Sequence, residues 1–371
     1  MHRLTRLVPS LFVAVVAACV FALPASSNGI PETRDRIGVF PTEQSFPANT
    51  AFRAGAAAEA PTVLFESGDG ECVSDLYVVR SDGSTLRRLT RNRLSFAGRW
   101  SPDGRRVVFT RAEGCNGHDD FPNDVWVMNE DGSHARRLIH DGEQASFAPD
   151  GNRLAFLRYE SVPGGYKGSL LIADATGKGV RVIATGLECC WEGSWSPDGS
   201  HYVYATGKFA NRLWVVDVST RSKRRVVGEE GDDVAWSPDG TKLAIARTSG
   251  LWVMRPDGTQ KTQITSRGGR EPAWAPDGTQ IAFAQHQFPK TSTLLVTTLD
   301  GTVRQLARGV YTADPLEPAW SPDGLQVAFV MTRGRRTIWL VRSDGSGLHR
   351  LTSSFRGNFS DDHPQWQPRR S

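Results

Sequence analysis

The sequence predicts an all-β chain: a seven-bladed β-propeller of four-stranded antiparallel blades, with the first blade completed by the C-terminal strand. Three observations carry this. An aromatic residue followed by a Pro-Asp-Gly turn recurs along the chain, opening at Trp100, Phe147, Trp195, Trp236, Trp274 and Trp320, with a truncated copy at Trp366-Gln-Pro368. The aromatic-to-aromatic steps are 47, 48, 41, 38, 46 and 46 residues, a spacing typical of four-stranded propeller blades. Between the turns lie short runs of β-branched, aromatic and aliphatic residues, four to a unit.

The turn residues have separate jobs. Proline presets φ, aspartate accepts local backbone N–H groups, and glycine takes the left-handed conformation that closes the hairpin. In the unit opening at Trp320, strand a ends in that Trp, Val327-Ala-Phe329 is strand b, Thr337-Ile-Trp-Leu-Val341 strand c and Arg350-Leu-Thr352 strand d. The Trp is expected to fill the wedge between blades. Each blade needs a neighbour on both faces, so no unit folds alone.

The count also predicts how the ring closes. The first unit starts on a b strand, Thr62-Val-Leu-Phe65, continues through Asp75-Leu-Tyr-Val-Val79 and Arg88-Leu-Thr90, and has no a strand. The chain ends on an orphan a strand, His363-Pro-Gln-Trp366. One ladder between the ends would make a ring of seven units averaging 44 residues over 61–368. Arg pairs on the outermost strands (Arg87-Arg88, Arg136-Arg137, Arg224-Arg225) read as edge protection against pairing with other chains.

Composition narrows the partners. Lys and Arg total 44 against 40 Asp and Glu, a formal +4, too mild to argue for nucleic acid. Residues 1–27 read as a signal peptide: basic at Arg3 and Arg6, apolar from Leu7 to Val20, small residues over Ala22–Ser27. A second reading is a lipoprotein signal ending before Cys19, since Val16-Ala-Ala-Cys19 resembles a lipobox; only then is a membrane involved. Residues 28–60 read as a linker. The protein is expected to be exported, periplasmic or extracellular, and monomeric. Export favours disulfides among Cys72, Cys115, Cys189 and Cys190, which fall on one face of the disc. Cys72–Cys115 is the favoured pair, with a vicinal Cys189–Cys190 bridge beside it. No C-x-x-C spacing suggests zinc.

That face also holds a recurrent polar position. Three residues before each aromatic stand Ala97, Gln144, Glu192, Asp233, Glu271, Glu317 and His363, with Asp232 and Asp362 alongside. Innermost strands line the channel, so these side chains should crowd its mouth. Converging carboxylates raise each other's pKa unless a partner compensates. Two readings follow: a ligand-binding ring for Ca²⁺, a cationic ligand or a peptide, or a polar rim bonded to backbone N–H groups of the next blade. Loops add His118-Asp-Asp120, Tyr159 to Lys167 and His286 as weaker candidates. No G-x-S-x-G elbow, P-loop or dinucleotide fingerprint occurs.

The phrase Trp-Ser-Pro-Asp-Gly, with Asp124-Val-Trp-Val-Met-Asn129, Asp131-Gly-Ser133 and Leu251-Trp-Val-Met254, resembles the PD40 (WD40-like) repeats of the TolB propeller family. The resemblance covers about 61–368. It implies an envelope protein that binds other proteins, although the family's founding member has six blades and an N-terminal α/β domain. The repeat is also similar to the propellers of prolyl-oligopeptidase-type peptidases, without their catalytic domain. Two functions are therefore expected. One is an exported scaffold for a protein or peptide of the cell envelope. The alternative is a metal-dependent propeller lyase or hydrolase acting on a polysaccharide or lactone, as in seven-bladed oligogalacturonate lyases with their His-rich site.

Overall fold

The Pro-Asp-Gly phrase closes a tight hairpin in every full copy. The Gly104 N–H donates to the Ser101 carbonyl across 2.8 Å, and the same bond recurs at Gly151, Gly199, Gly240, Gly278 and Gly324. All six glycines have φ between 66° and 72°, where a Cβ is strained. The Asp carboxylate works as the sequence suggests: Asp198 accepts from the Ser196 hydroxyl and the Ser200 N–H. Those bonds hold it down to about 2.

In this computed structural model the described residues run from 60 to 369. Stretches 69–72, 115–122, 163–164, 188–192, 207–211, 231–232, 248, 267, 288–290, 309–315, 334 and 354–359 lie outside the description. The leader, the linker up to residue 59 and all four post-leader cysteines therefore fall outside it, as do Glu192, Asp232 and His118-Asp-Asp120.

Seven four-stranded antiparallel sheets form among the described residues. Blades 2 to 7 each take four consecutive strands, the first of them Ser95–Trp100, Glu143–Phe147, Ser194–Trp195, Asp233–Trp236, Arg270–Trp274 and Ala319–Trp320. Blade 1 is composite. Ser360–Trp366 pairs antiparallel with Thr62–Gly68, with Val63 opposite Trp366 and Gly68 opposite Ser360. Beyond the ladder the Gln367 N–H donates to the Thr62 carbonyl at 2.8 Å, and the Gln367 amide donates to the Gly104 carbonyl at 2.6 Å. The two ends of the repeat array thus close the ring, as the orphan strand predicted.

The core is divided into seven clusters, one per blade interface. The b strands are buried on both faces, hence their unbroken apolar runs: Val327, Ala328, Phe329 and Val330 are each 1% exposed or less. The Val-Ala-Phe phrase gains a reason here. Ala244 and Ala246 share a cluster with Trp274, Ala282 and Ala284 with Trp320, and Ala328 with Trp366. A small residue on one blade makes room for the indole of the next, at the close packing that interiors require.

Two expectations are corrected. Tyr159 to Lys167 is not a loop: Arg153–Val162 and Gly165–Asp174 continue as one long hairpin with Tyr159 opposite Gly168 and Val162 opposite Gly165. His286 lies within strand Gln280–Gln287, opposite Ser292. The outer Arg residues also do more than blunt an edge. Arg87 donates to the Glu130 carbonyl of blade 2 at 3.1 Å, and Arg88 pairs with the buried Asp75 of its own blade.

Candidate functional site at the channel mouth

Strand a begins with an irregularity. The ladder between strands a and b slips between Phe96 and Arg99, Glu143 and Ser146, and Arg270 and Ala273, and again where Leu64 and Glu66 face the closing strand. At these bulges Ala97, Gln144, Glu271 and His363 adopt left-handed φ of 50–55°, and Glu317 takes 46°. A bulge with a left-handed residue turns that residue's N–H out of its own ladder. Pro272, Pro318 and Pro364 follow three of them on the channel-facing edge, where a missing N–H costs no ladder bond.

The freed N–H groups all find the preceding blade. Glu271 N donates to Asp233 Oδ2 at 2.9 Å, Glu317 N to Glu271 Oε2 at 2.7 Å, and His363 N to Glu317 Oε2 at 2.5 Å. Glu271 and Glu317 are each both donor and acceptor, which explains why the position repeats. At His363 and Ala97 the acceptor for the next blade comes from strand b instead. Glu66 Oε2 accepts from Ala97 N at 3.0 Å, and the Thr110 hydroxyl from Gln144 N at 2.9 Å. Every ring carboxylate among the described residues is thus bonded to a backbone N–H of the next blade. Glu192 lies outside the described residues.

Sequence reasoning placed His363 in the ring but missed the two arginines that balance it. Arg270 lies 3.2 Å from Asp233, and Arg336 lies 3.5 Å from Glu317 and 2.6 Å from Asp362. His363 contacts Glu66 through Nδ1 and Glu317 through Nε2 at 3.3 Å. Glu66 was legible only as a charge ending the apolar run Thr62–Phe65. Burial opposes its ionisation, but His363 and the Ala97 N–H outweigh burial and hold the carboxyl below the usual range. Glu271 goes the other way: burial, then the charges of Glu317 and Asp233, push it up to about 8. Burial likewise lifts Asp362 to about 7 despite Arg336. The arc from blade 5 round to blade 1 therefore holds Asp233, Glu271, Glu317, Asp362 and Glu66 against Arg270, Arg336 and His363.

The remaining sector differs. A small cavity of about 30 Å³ opens beside blades 2 to 4, lined by Ala97, Arg99, Gln144, Ser146, Leu157, Gly193 and Tyr202. Gly193 is required there, because a Cβ would stand 2.3 Å from the Tyr202 ring. Farther out, Glu113, Asp124 and His140 bring ligand-type atoms within 4.8 Å of one another. The Arg137 guanidinium already donates to Asp124 at 3.0 Å and lies 3.8 Å from Glu113, so a cation fills that cluster from within.

A second latch lies deeper. The Trp366 indole N–H donates to the Ala319 carbonyl at 2.9 Å, Trp320 to Ala273 at 3.0 Å, Trp274 to Ala235 at 3.1 Å and Trp236 to Ser194 at 3.2 Å. Trp195 and Trp100 do the same at 3.4 Å, and Phe147 has no such donor.

These features define the class: a closed seven-bladed propeller of aromatic-Pro-Asp-Gly repeats, latched between blades at the mouth and along the channel. The TolB beta propeller domain matches residues 153–368, and the chain belongs to that family. Curated relatives include the Tol-Pal system protein TolB of Anaeromyxobacter dehalogenans, 42% identical over 67 residues. That match covers 18% of this chain and only 14% of the relative's length. Solved structures sharing the fold include TolB from Acinetobacter baumannii, with a TM-score of 0.56 and 15% identity over 83% of this chain and 67% of that one. An oligogalacturonate lyase in complex with manganese gives 0.58 and 16% over 74% and 84%, and a puromycin hydrolase 0.63 and 16% over 82% and 55%. At these identities the likeness extends to the fold alone.

Proposed function

We propose that the chain is an exported scaffold that holds a protein or peptide of the cell envelope on the face carrying the b–c connections and the channel mouth. Residues 1–27 would direct export and be removed, with 28–60 tethering the propeller. The observation that carries the binding role is the excess of buried carboxylate at the mouth. Five acids face Arg99, Arg270, Arg336 and His363, and Glu271 and Asp362 keep protons well above their usual range. A cationic group brought to the mouth, as a basic side chain of a partner or as Ca²⁺, would let those acids ionise and be bound in return. Gln144, Glu192, Asp233, Glu271, Glu317 and His363 are the proposed contact set.

Affinity capture from envelope extract, beside calcium and manganese titration of the pure protein, tests this. The expected result is an enriched partner lost on Glu271→Gln with Glu317→Gln. Any stoichiometric metal should be lost with it. Turnover of a uronide or lactone panel with no enriched partner would replace the scaffold by the lyase or hydrolase reading.

A further inference from the structure

The face opposite the mouth differs from it in three ways. It carries the Pro-Asp-Gly turns and the c–d connections, and the turns form a continuous floor. A Cβ on Gly240, Gly278 or Gly324 would stand 3.5–3.8 Å from the proline ring of the preceding blade's turn. Farther out, Arg87 donates to the Glu130 carbonyl and Arg304 to the Ser343 carbonyl, tying the c–d connection of one blade to the next. The first difference is apolar exposure. Among the described residues, the exposed large hydrophobic side chains are Leu86, Val180, Val182, Leu299, Leu325 and Leu348, with Leu325 62% exposed. All of them lie on this floor, in c–d connections, at the start of a d strand or in the blade 7 turn. The second is charge. The c–d connection of blade 4 and the strand it feeds present Arg221, Lys223 and Arg224 to solvent against one acid, Asp217. That carboxylate is itself engaged by the Ser219 and Thr220 N–H groups. Blades 3 and 5 add exposed Lys178, Arg181, Arg255 and Lys261, and Arg181 stands between Val180 and Val182. The third is where the chain enters. The Pro61 carbonyl accepts from the Ser81 N–H at 2.8 Å, so the chain before residue 60 joins the propeller on this face.

Exposed apolar side chains set among bases suit the boundary between acyl chains and anionic headgroups, where Leu and Val enter the boundary and Lys and Arg stay on the phosphates. The distribution decides against a compact partner. Val180 and Val182 belong to blade 3, and Leu325 and Leu348 to blade 7, nearly across the ring. Only a broad, flat surface meets both together, and the turns present a flat floor to it. We propose that this face docks on an anionic lipid bilayer and turns the channel mouth away from the membrane. The acidic arc favours the same orientation, because the mouth would be repelled by the headgroups that attract the floor. The inference goes beyond the scaffold reading and uses none of its contact set: the mouth stays open to a partner while the opposite face holds the membrane.

Co-sedimentation of the whole chain with vesicles tests it, using phosphatidylcholine alone and phosphatidylcholine with one third phosphatidylglycerol. Binding to the anionic vesicles should be stronger by about ten-fold or more and should fade as salt is raised. Arg221→Glu with Arg224→Glu, both at exposed positions, should weaken it by about ten-fold or more. Leu325→Ser with Leu348→Ser should weaken it by about ten-fold. Thermal melts matching wild type establish that both double variants are folded. Equal binding to the two vesicle types, or wild-type binding by either variant, assigns attachment to the apolar run Leu7–Val20 and overturns the proposal. Retention on immobilised polyglutamate without vesicle binding overturns it in favour of an acidic protein. The arginine variant should still capture the envelope partner at the mouth, so failure of the membrane face and failure of the scaffold reading are told apart.

Discussion

The Glu317 carboxylate accepts the His363 backbone N–H at 2.5 Å, joining the last blade of the repeat array to the strand that closes the first. The same carboxylate lies 3.5 Å from Arg336 and 3.3 Å from the His363 ring. It is 13% exposed and Arg336 19%, so the pair is largely out of water. Removing one partner of such a pair strands the other, at a cost of roughly 3–5 kcal/mol. Glu317→Ala should lower unfolding free energy by about that much in urea titration. Glu317→Gln, which keeps the acceptor oxygen, should cost clearly less.

Glu271 makes stability depend on pH in an unusual direction. Its folded value is about 8, against 4.5 for a glutamate free in water. The folded protein therefore holds a proton that the unfolded chain has released, and stability falls as pH rises between them. The contribution is complete below pH 4.5 and gone above 8; Asp362, at about 7, adds the same sign. Denaturant titrations should show wild type losing stability from about pH 5 to 8. Glu271→Gln, still able to accept from the Glu317 N–H, should flatten that slope and be the more stable protein at pH 8.

The indole latch can be separated from indole packing. Trp274→Phe keeps most of the apolar contact with Ala244 and Ala246 but loses the bond to the Ala235 carbonyl. It should cost about 0.5–1.5 kcal/mol for the bond, plus the smaller ring's lost contact. Trp274→Ala removes both and should cost roughly 3–5 kcal/mol. Chemical denaturation of the two variants gives the split directly; a Trp274→Phe variant as stable as wild type would mean that packing alone matters.

Closure through Ser360–Trp366 predicts that the C-terminal strand is indispensable. Removing residues 360–371 uncovers Val63, Leu64 and Phe65, each 1% exposed or less. The truncated chain should lose its cooperative thermal transition and associate, detectable by light scattering. Supplying the missing segment as a synthetic peptide should restore the transition. A truncated protein melting like wild type would show that the ladder does not close the ring.

Much of the architecture was legible because propeller repeats are local. Ser101-Pro-Asp-Gly104 dictates its own turn from four consecutive residues, and the orphan strand at His363–Trp366 revealed closure by counting alone. The ring was legible as a column of residues but not as a mechanism. Spacing placed Glu271, Glu317 and His363 three residues before an aromatic. It could not show that these N–H groups sit on bulges, or that Glu66 and Thr110 on strand b supply the acceptors beside His363 and Ala97. Arg336 was invisible for the same reason. It meets Glu317 and Asp362 only because strand c of blade 7 starts beside the closing strand.

By itself, then, the chain specifies its turns, its seven units and the way its ends meet, since those follow from short-range dihedral preference and apolar periodicity. Which carboxylates keep their protons and which arginine faces which acid were decided by the closed ring. Those properties depend on burial and on distances between residues of different blades, and neither exists until the blades pack.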